Sequence, residues 1–146
     1  MDHVAIMKKS WGMLPRILAG GKKIESRWYK NKAAPWGKIQ TGEKIYFKNT
    51  GEPVSVAARV GRILSFENLT PEKVKEILEK YGRDDGIEKE KLQDYVNLFK
   101  DKKYCLLVFL ERPSRIPPFE IDKTGFGAMA AWLSVKDVNK IRKNSI

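Results

Sequence analysis

Cysteine and histidine are nearly absent from this 146-residue chain, which holds only Cys105 and His3. A lone cysteine excludes an internal disulfide, and one histidine with no Cys/His cluster excludes the usual zinc spacings. Cys105 lies in the most apolar run, 104–110, and reads as a buried structural thiol. That run is too short to span a bilayer, and the first residues lack the apolar core of a signal peptide. A cytoplasmic protein with no membrane association is expected, with no cofactor. The carboxylates of Arg83-Asp84-Asp85-Gly86 lack EF-hand spacing and read as a solvated acidic loop. His3 opens a first strand and reads as structural.

Negative charge is also scarce. The chain carries 29 Lys+Arg against 18 Asp+Glu, a net charge of +11 with a pI near 9.7. Such a surface attracts polyanions and binds phosphates by releasing counterions. The excess is uneven: residues 1–66 carry +9, residues 67–100 carry −2 and residues 101–146 carry +4. A Lys/Glu-rich thermophile surface would raise both signs together. The imbalance points instead to an anionic partner for the first half.

The first half also holds the richest stretch, Gly20-Gly21-Lys22-Lys23-Ile24-Glu25-Ser26-Arg27-Trp28. The glycine pair stops a helix over 13–19 and hands the chain to a strand. Two-residue alternation then sets Lys23, Glu25 and Arg27 on one face and Ile24, Ser26 and Trp28 on the other. The pattern Gly21-Lys22-x-x-Glu25-x-Arg27, followed by Thr41-Gly42-Glu43-Lys44-Ile45-Tyr46-Phe47, resembles the signature of the ASCH (activating signal cointegrator homology) domain. That family is PUA-like, built on a small β-barrel and associated with RNA binding. The resemblance implies an α+β fold in which a mixed barrel carries flanking helices. It also implies a cleft between barrel and first helix that takes RNA or a nucleotide-like ligand. Lys22, Lys23, Glu25, Arg27, Trp28, Trp36, Tyr46 and Lys48 are the candidate binding residues. Lys22 and Arg27 would hold phosphate, and Trp28, Tyr29, Trp36 and Tyr46 would stack bases. Trp36, in a basic loop, is the preferred exposed ring, while Trp11 and Trp132 are assigned to the core.

A hydrolytic alternative uses the same cleft, with Lys22 and Glu25 as the catalytic pair and Tyr46 and Lys48 as helpers. Relatives implied by the resemblance include amidohydrolases that deacylate acetylated cytidine with a Lys, a Thr and a Glu. Their Thr stands three residues after the Lys, where this chain has Glu25, so that nucleophile is missing. A ribonuclease would need only a cation for the phosphate and Glu25 as base.

The rest of the chain reads as one domain over 1–146 with a helical excursion near 70–100. Strands are expected over 3–8, 44–48, 54–66 and 103–112, with a bend at Gly61. Ser10 is the expected N-cap of the first helix. Pro71 opens an amphipathic helix through Tyr81, and Leu92, Tyr95, Val96 and Phe99 mark a second. Pro113, Pro117 and Pro118 are expected to end ladder pairing. A last strand over 128–135 and a terminal helix over 135–143 complete the expectation.

Overall fold

The computed structural model describes residues 1–143. Six strands and three helices follow one another as β1 (Asp2–Met7), α1 (Met13–Ala19), β2 (Ile24–Tyr29), β3 (Lys44–Asn49), β4 (Val54–Phe66), α2 (Pro71–Tyr81), α3 (Leu92–Phe99), β5 (Tyr104–Phe119) and β6 (Trp132–Val135). The strands form a single mixed sheet in the order β2-β5-β4-β3-β1-β6, curled into a half-barrel. Only β1 and β3 run parallel, Val4 facing Tyr46 and Ile6 facing Lys48. This is the expected α+β architecture of a PUA-like barrel.

Alternation on the strands sends side chains to both faces of the sheet, and each face is covered. Inside the curl, Ala5, Met7, Ile45, Phe47, Val56, Val60, Leu106 and Val108 pack against Met13, Leu14 and Ile17 of α1. Outside, Ile24 and Trp28 of β2 with Cys105 and Leu107 of β5 pack against α2 and α3. Helix α2 buries Val74, Ile77 and Leu78, one stripe at helical spacing, each contributing about 1.5–3 kcal/mol. Its start is fixed by Thr70, whose hydroxyl accepts from the Lys73 N–H, and by Pro71 in the first turn. On the same outer side, Val4, Val54, Phe119, Ile121, Leu133 and Val138 form a third cluster.

Three local expectations are corrected. The prolines do not end the ladder, and β5 runs through them because they fall in bulges. Between Ala57↔Ser114 and Arg59↔Glu111, β5 spends an extra residue where Pro113 lies. Between Val54↔Phe119 and Val56↔Arg115 it spends two where Pro117 and Pro118 lie, so their missing N–H groups cost no ladder bond. The terminal helix shrinks to a single 3-10 turn, Val138–Lys140, capped by Asp137. With Val138 buried and Ile141 half-buried, the segment has too little apolar contact to offset helix nucleation. Helix α1 is not capped by Ser10. Gly12, in the left-handed region at φ 64°, separates α1 from a 3-10 turn, Lys9–Trp11.

Candidate functional site

Because the half-barrel does not close, an open seam separates edge strand β2 from β1 and the segment entering β6. A cleft of about 240 Å³ occupies it, lined by Met7 and Lys8 on one side and Glu25, Ser26, Arg27 and Trp28 on the other. Arg27 crosses the seam, its Nη1 donating to the Ala131 carbonyl at 3.1 Å. Its guanidinium also lies 5.0 Å from the Trp132 ring centroid.

The floor of the cleft is assembled from two distant stretches. Helix α1 ends at Gly20, at φ 84°, and the Lys22 N–H returns to the Arg16 carbonyl. Lys23 and Ile24 then both donate to the Asp84 carbonyl, at 2.6 and 2.9 Å, which ties the loop after α2 to the start of β2. Gly86, at φ 82°, lets that loop approach; a Cβ there would stand 3.2 Å from the Lys22 Cβ and 3.3 Å from the Met13 sulfur. Asp85 is thereby delivered, buried, beside Lys22.

Lys22 donates to the Asp85 carbonyl at 2.7 Å and to Asp85 Oδ1 at 2.5 Å, and its ammonium lies 3.2 Å from Glu25 Oε1. Three donors meet three acceptors. Arg27 Nη2 donates to Glu25 Oε2 at 2.8 Å. The Ser26 hydroxyl donates to Asp85 Oδ2 at 2.5 Å and accepts from the Trp28 indole N–H at 3.1 Å. Alternation holds, with Glu25 and Arg27 on one face and Ser26 and Trp28 on the other. Both faces nevertheless reach the cleft, because β2 is an edge strand and Asp85 bridges them.

The electrostatics follow from this burial. Burial opposes the Lys22 charge, but Asp85 and Glu25 outweigh it and raise its pKa, so the ammonium persists. Burial likewise opposes the Glu25 charge, yet Lys22 and Arg27 hold that carboxyl below its ordinary value. Burial prevails at Asp85, helped by the Glu25 charge and opposed by Lys22, and its pKa rises. Asp85 is the member of the trio most easily neutralised.

Aromatic rings make the walls. Trp28 stacks on Phe99 at 4.8 Å and 6° between planes, so one face of the indole is already covered. Trp11 meets Tyr95 edge-on at 6.2 Å and lies beneath the Lys8 ammonium, 5.3 Å from the ring centroid. At 39% exposure, Trp11 is a rim residue. The expectation that placed it in the core followed helical spacing through Gly12, where the helix phase is broken.

Of the candidate residues, Lys22, Glu25, Arg27 and Trp28 line the cleft, and Lys23, Trp36, Tyr46 and Lys48 do not. Lys23 is exposed. Trp36 is half-buried and meets Tyr104 edge-on at 5.5 Å, with Lys32 over both rings. Tyr46 packs edge-on against Phe119 on the outer face, and the Lys48 stem is buried beside it. The phosphate-holding role drawn for Lys22 finds no free donor. The acidic loop expected to be solvated supplies Asp85 to the floor. Sequence reasoning also missed Ser26, Tyr95 and Phe99. A signal for Asp85 did exist: Asp84-Asp85-Gly86-Ile87 is a turn that returns straight to an apolar residue.

Among the described residues no group of carboxylates, histidines and cysteines is arranged to hold a metal ion, and no helix is long and apolar enough to cross a membrane.

No family model matches the sequence, and no curated protein matches it. Solved structures do. The ASCH protein of Zymomonas mobilis superposes with a TM-score of 0.65 at 17% identity, over 92% of this chain and 87% of that one. A mutant of the same protein gives 0.66 at 16% identity, over 95% and 93%. The N-terminal domain of McrB from Staphylothermus marinus gives 0.51 at 16% identity, over 82% and 76%. Over 92–95% of its length the chain therefore has the fold of an ASCH domain.

Proposed function

We propose that the protein binds RNA or a nucleotide-like ligand by inserting a base into the seam of the half-barrel. One observation carries this reading: a single cleft joins aromatic walls to a hydrogen-bonding floor. Bases are flat, apolar on their faces and polar at their edges, and a site combining stacking with buried acceptors and donors suits them. Glu25 and Asp85 would accept from amino groups on a base edge, and Arg27 would donate to a carbonyl. Phosphate would stay off the floor of the cleft, since the floor cations are already paired. Titration of tryptophan fluorescence with nucleosides and short single-stranded RNAs tests this. Saturable quenching, weakened in both Trp11→Ala and Arg27→Ala, is the expected result. The reading fails if no nucleoside or oligonucleotide binds the folded protein.

A second reading, hydrolysis, is favoured by the Ser26 hydroxyl, which the sequence turned away from the site. Its proton points at Asp85, whose raised pKa suits proton acceptance, while Lys22 holds the other carboxylate oxygen. With an N-acylated nucleoside, Oγ would attack the acyl carbon as Asp85 takes the hydroxyl proton. The amine would leave with that proton, and water would then release the acyl group as a carboxylic acid and restore Ser26. Mass spectrometry of acylated nucleosides incubated with wild type and Ser26→Ala decides: turnover abolished by the substitution supports it, and no turnover in the wild type removes it.

A further inference from the structure

A second, smaller cavity adjoins the cleft. It measures about 70 Å³ and shares Trp11, Met13, Ile87 and Tyr95 with the larger chamber, so the Trp11 and Tyr95 rings stand as a partition between the two. The chambers differ in chemistry. The larger one is walled by rings and methionines around its paired floor. The smaller one is bordered by the Ser10 hydroxyl, Arg16, Glu88 and Lys91. It is too small for a base and polar enough for a compact anion.

Charge in the smaller chamber is not cancelled. Arg16 is held in place by the Gly86 carbonyl and by Glu88, whose Oε1 accepts from Nη2 at 2.7 Å. Lys91 borders the same space and has no ion pair among the described residues. Two cations therefore face one carboxylate. This chamber carries a net positive charge next to a cleft floor whose charges are already paired. A nucleotide divides its chemistry in the same way, with a flat polar-edged base at one end and a tetrahedral dianion at the other.

We infer that the cleft and the chamber behind Trp11 together form a nucleotide site, with the base in the seam and its phosphate between Arg16, Lys91 and Ser10. The inference rests on the proposed base-binding role of the cleft and narrows it from a free nucleoside to a phosphorylated one. Lys91 would act as a point charge on a flexible stem, and Arg16, prepositioned by Glu88 and Gly86, as the fixed donor. Trp11 would stack on the base at the edge where the sugar passes from one chamber to the other.

Fluorescence titrations with a nucleoside, its monophosphate and a single-stranded RNA trimer, each at several salt concentrations, test the assignment. The wild type is expected to bind the monophosphate at least tenfold more tightly than the nucleoside. In Lys91→Glu, that advantage should disappear while nucleoside affinity stays the same. The logarithmic salt slope for the trimer should shrink by about 0.7, the value for one phosphate on a single strand. Lys140→Glu, at an exposed position of the turn Val138–Lys140 and outside both chambers, changes net charge equally and should leave the advantage intact. The inference is overturned if Lys91→Glu and Ser10→Ala both leave the monophosphate-to-nucleoside ratio unchanged, or if Lys140→Glu lowers it equally. Nucleoside binding without a phosphate increment removes the chamber alone. Absence of binding by all three ligands removes the base-binding role, and the chamber with it.

Discussion

Replacing Asp85 by alanine tests the central feature of the structure, the buried ammonium beneath the cleft. Lys22 is 3% exposed, and Asp85 provides two of its three acceptors, the side-chain oxygen at 2.5 Å being the closest. Truncating Asp85 keeps the backbone carbonyl but removes that counter-charge, and leaves Glu25, which Arg27 already shares, as the one carboxylate beside the cation. Losing one partner of a buried ion pair costs about 3–5 kcal/mol. For a domain of this size each kcal/mol lowers the melting temperature by roughly 2–4 °C, so a fall of about 6–20 °C is expected. Thermal and urea melts followed by circular dichroism measure it. Lys22→Met combined with Asp85→Leu should be more stable than Asp85→Ala alone, since no under-paired buried ammonium remains and Glu25 keeps Arg27. An Asp85→Ala protein within about 1 kcal/mol of wild type would refute the reasoning. So would a double variant that loses the sum of its two single changes.

Other expected outcomes concern separate parts of the chain. Trp11→Ala, at a half-exposed rim, should weaken base binding by about 1–3 kcal/mol, the usual loss on removing a stacking ring, with thermal stability nearly unchanged. Thr70→Ala should cost on the order of 1 kcal/mol in urea melts through the lost cap on α2. Gly86→Ala should destabilise the fold and displace Asp85, because residue 86 has φ 82° and a Cβ would press on Lys22 and Met13. The fully buried His3 accepts from the Trp132 indole N–H through Nδ1 and donates to Glu43 through Nε2. Burial lowers its pKa from the ordinary 6.5. The unfolded chain therefore binds the proton more readily, and the stability present above pH 6.5 should be lost as pH falls through the folded-state value. Urea midpoints measured from pH 7.5 downward should show a steeper acid decline in wild type than in His3→Gln; equal declines would contradict it.

Much of this fold was legible because local signals agreed with tertiary demands. Val54–Phe66 and Pro71–Tyr81 fall where alternation, helical spacing and the proline placed them. Gly20 ends the first helix and opens the motif strand as expected. What escaped depends on contacts between distant residues. The turn back to Ile87 hints that the Asp85 loop is held down, but not that it locks onto β2 through the Asp84 carbonyl, and a run of charge otherwise reads as solvated. The phase break at Gly12 turned Trp11 outward, and apolar packing in the loop drew Trp36 inward. The prolines of β5 were misjudged because their bulges exist only opposite β4. The parallel pairing of β1 with β3 left no mark on either strand.

Phe66 and Cys105 face each other across the β4–β5 ladder, so a tight turn could join those strands directly. The 38 residues between them look dispensable as connection. They are not, because they carry the counterion of a lysine that entered the chain some sixty positions earlier. Any shortened version must retire that lysine along with the two helices. Shuffling this excursion between proteins of the same fold would succeed only when the strand edge beneath it travels too.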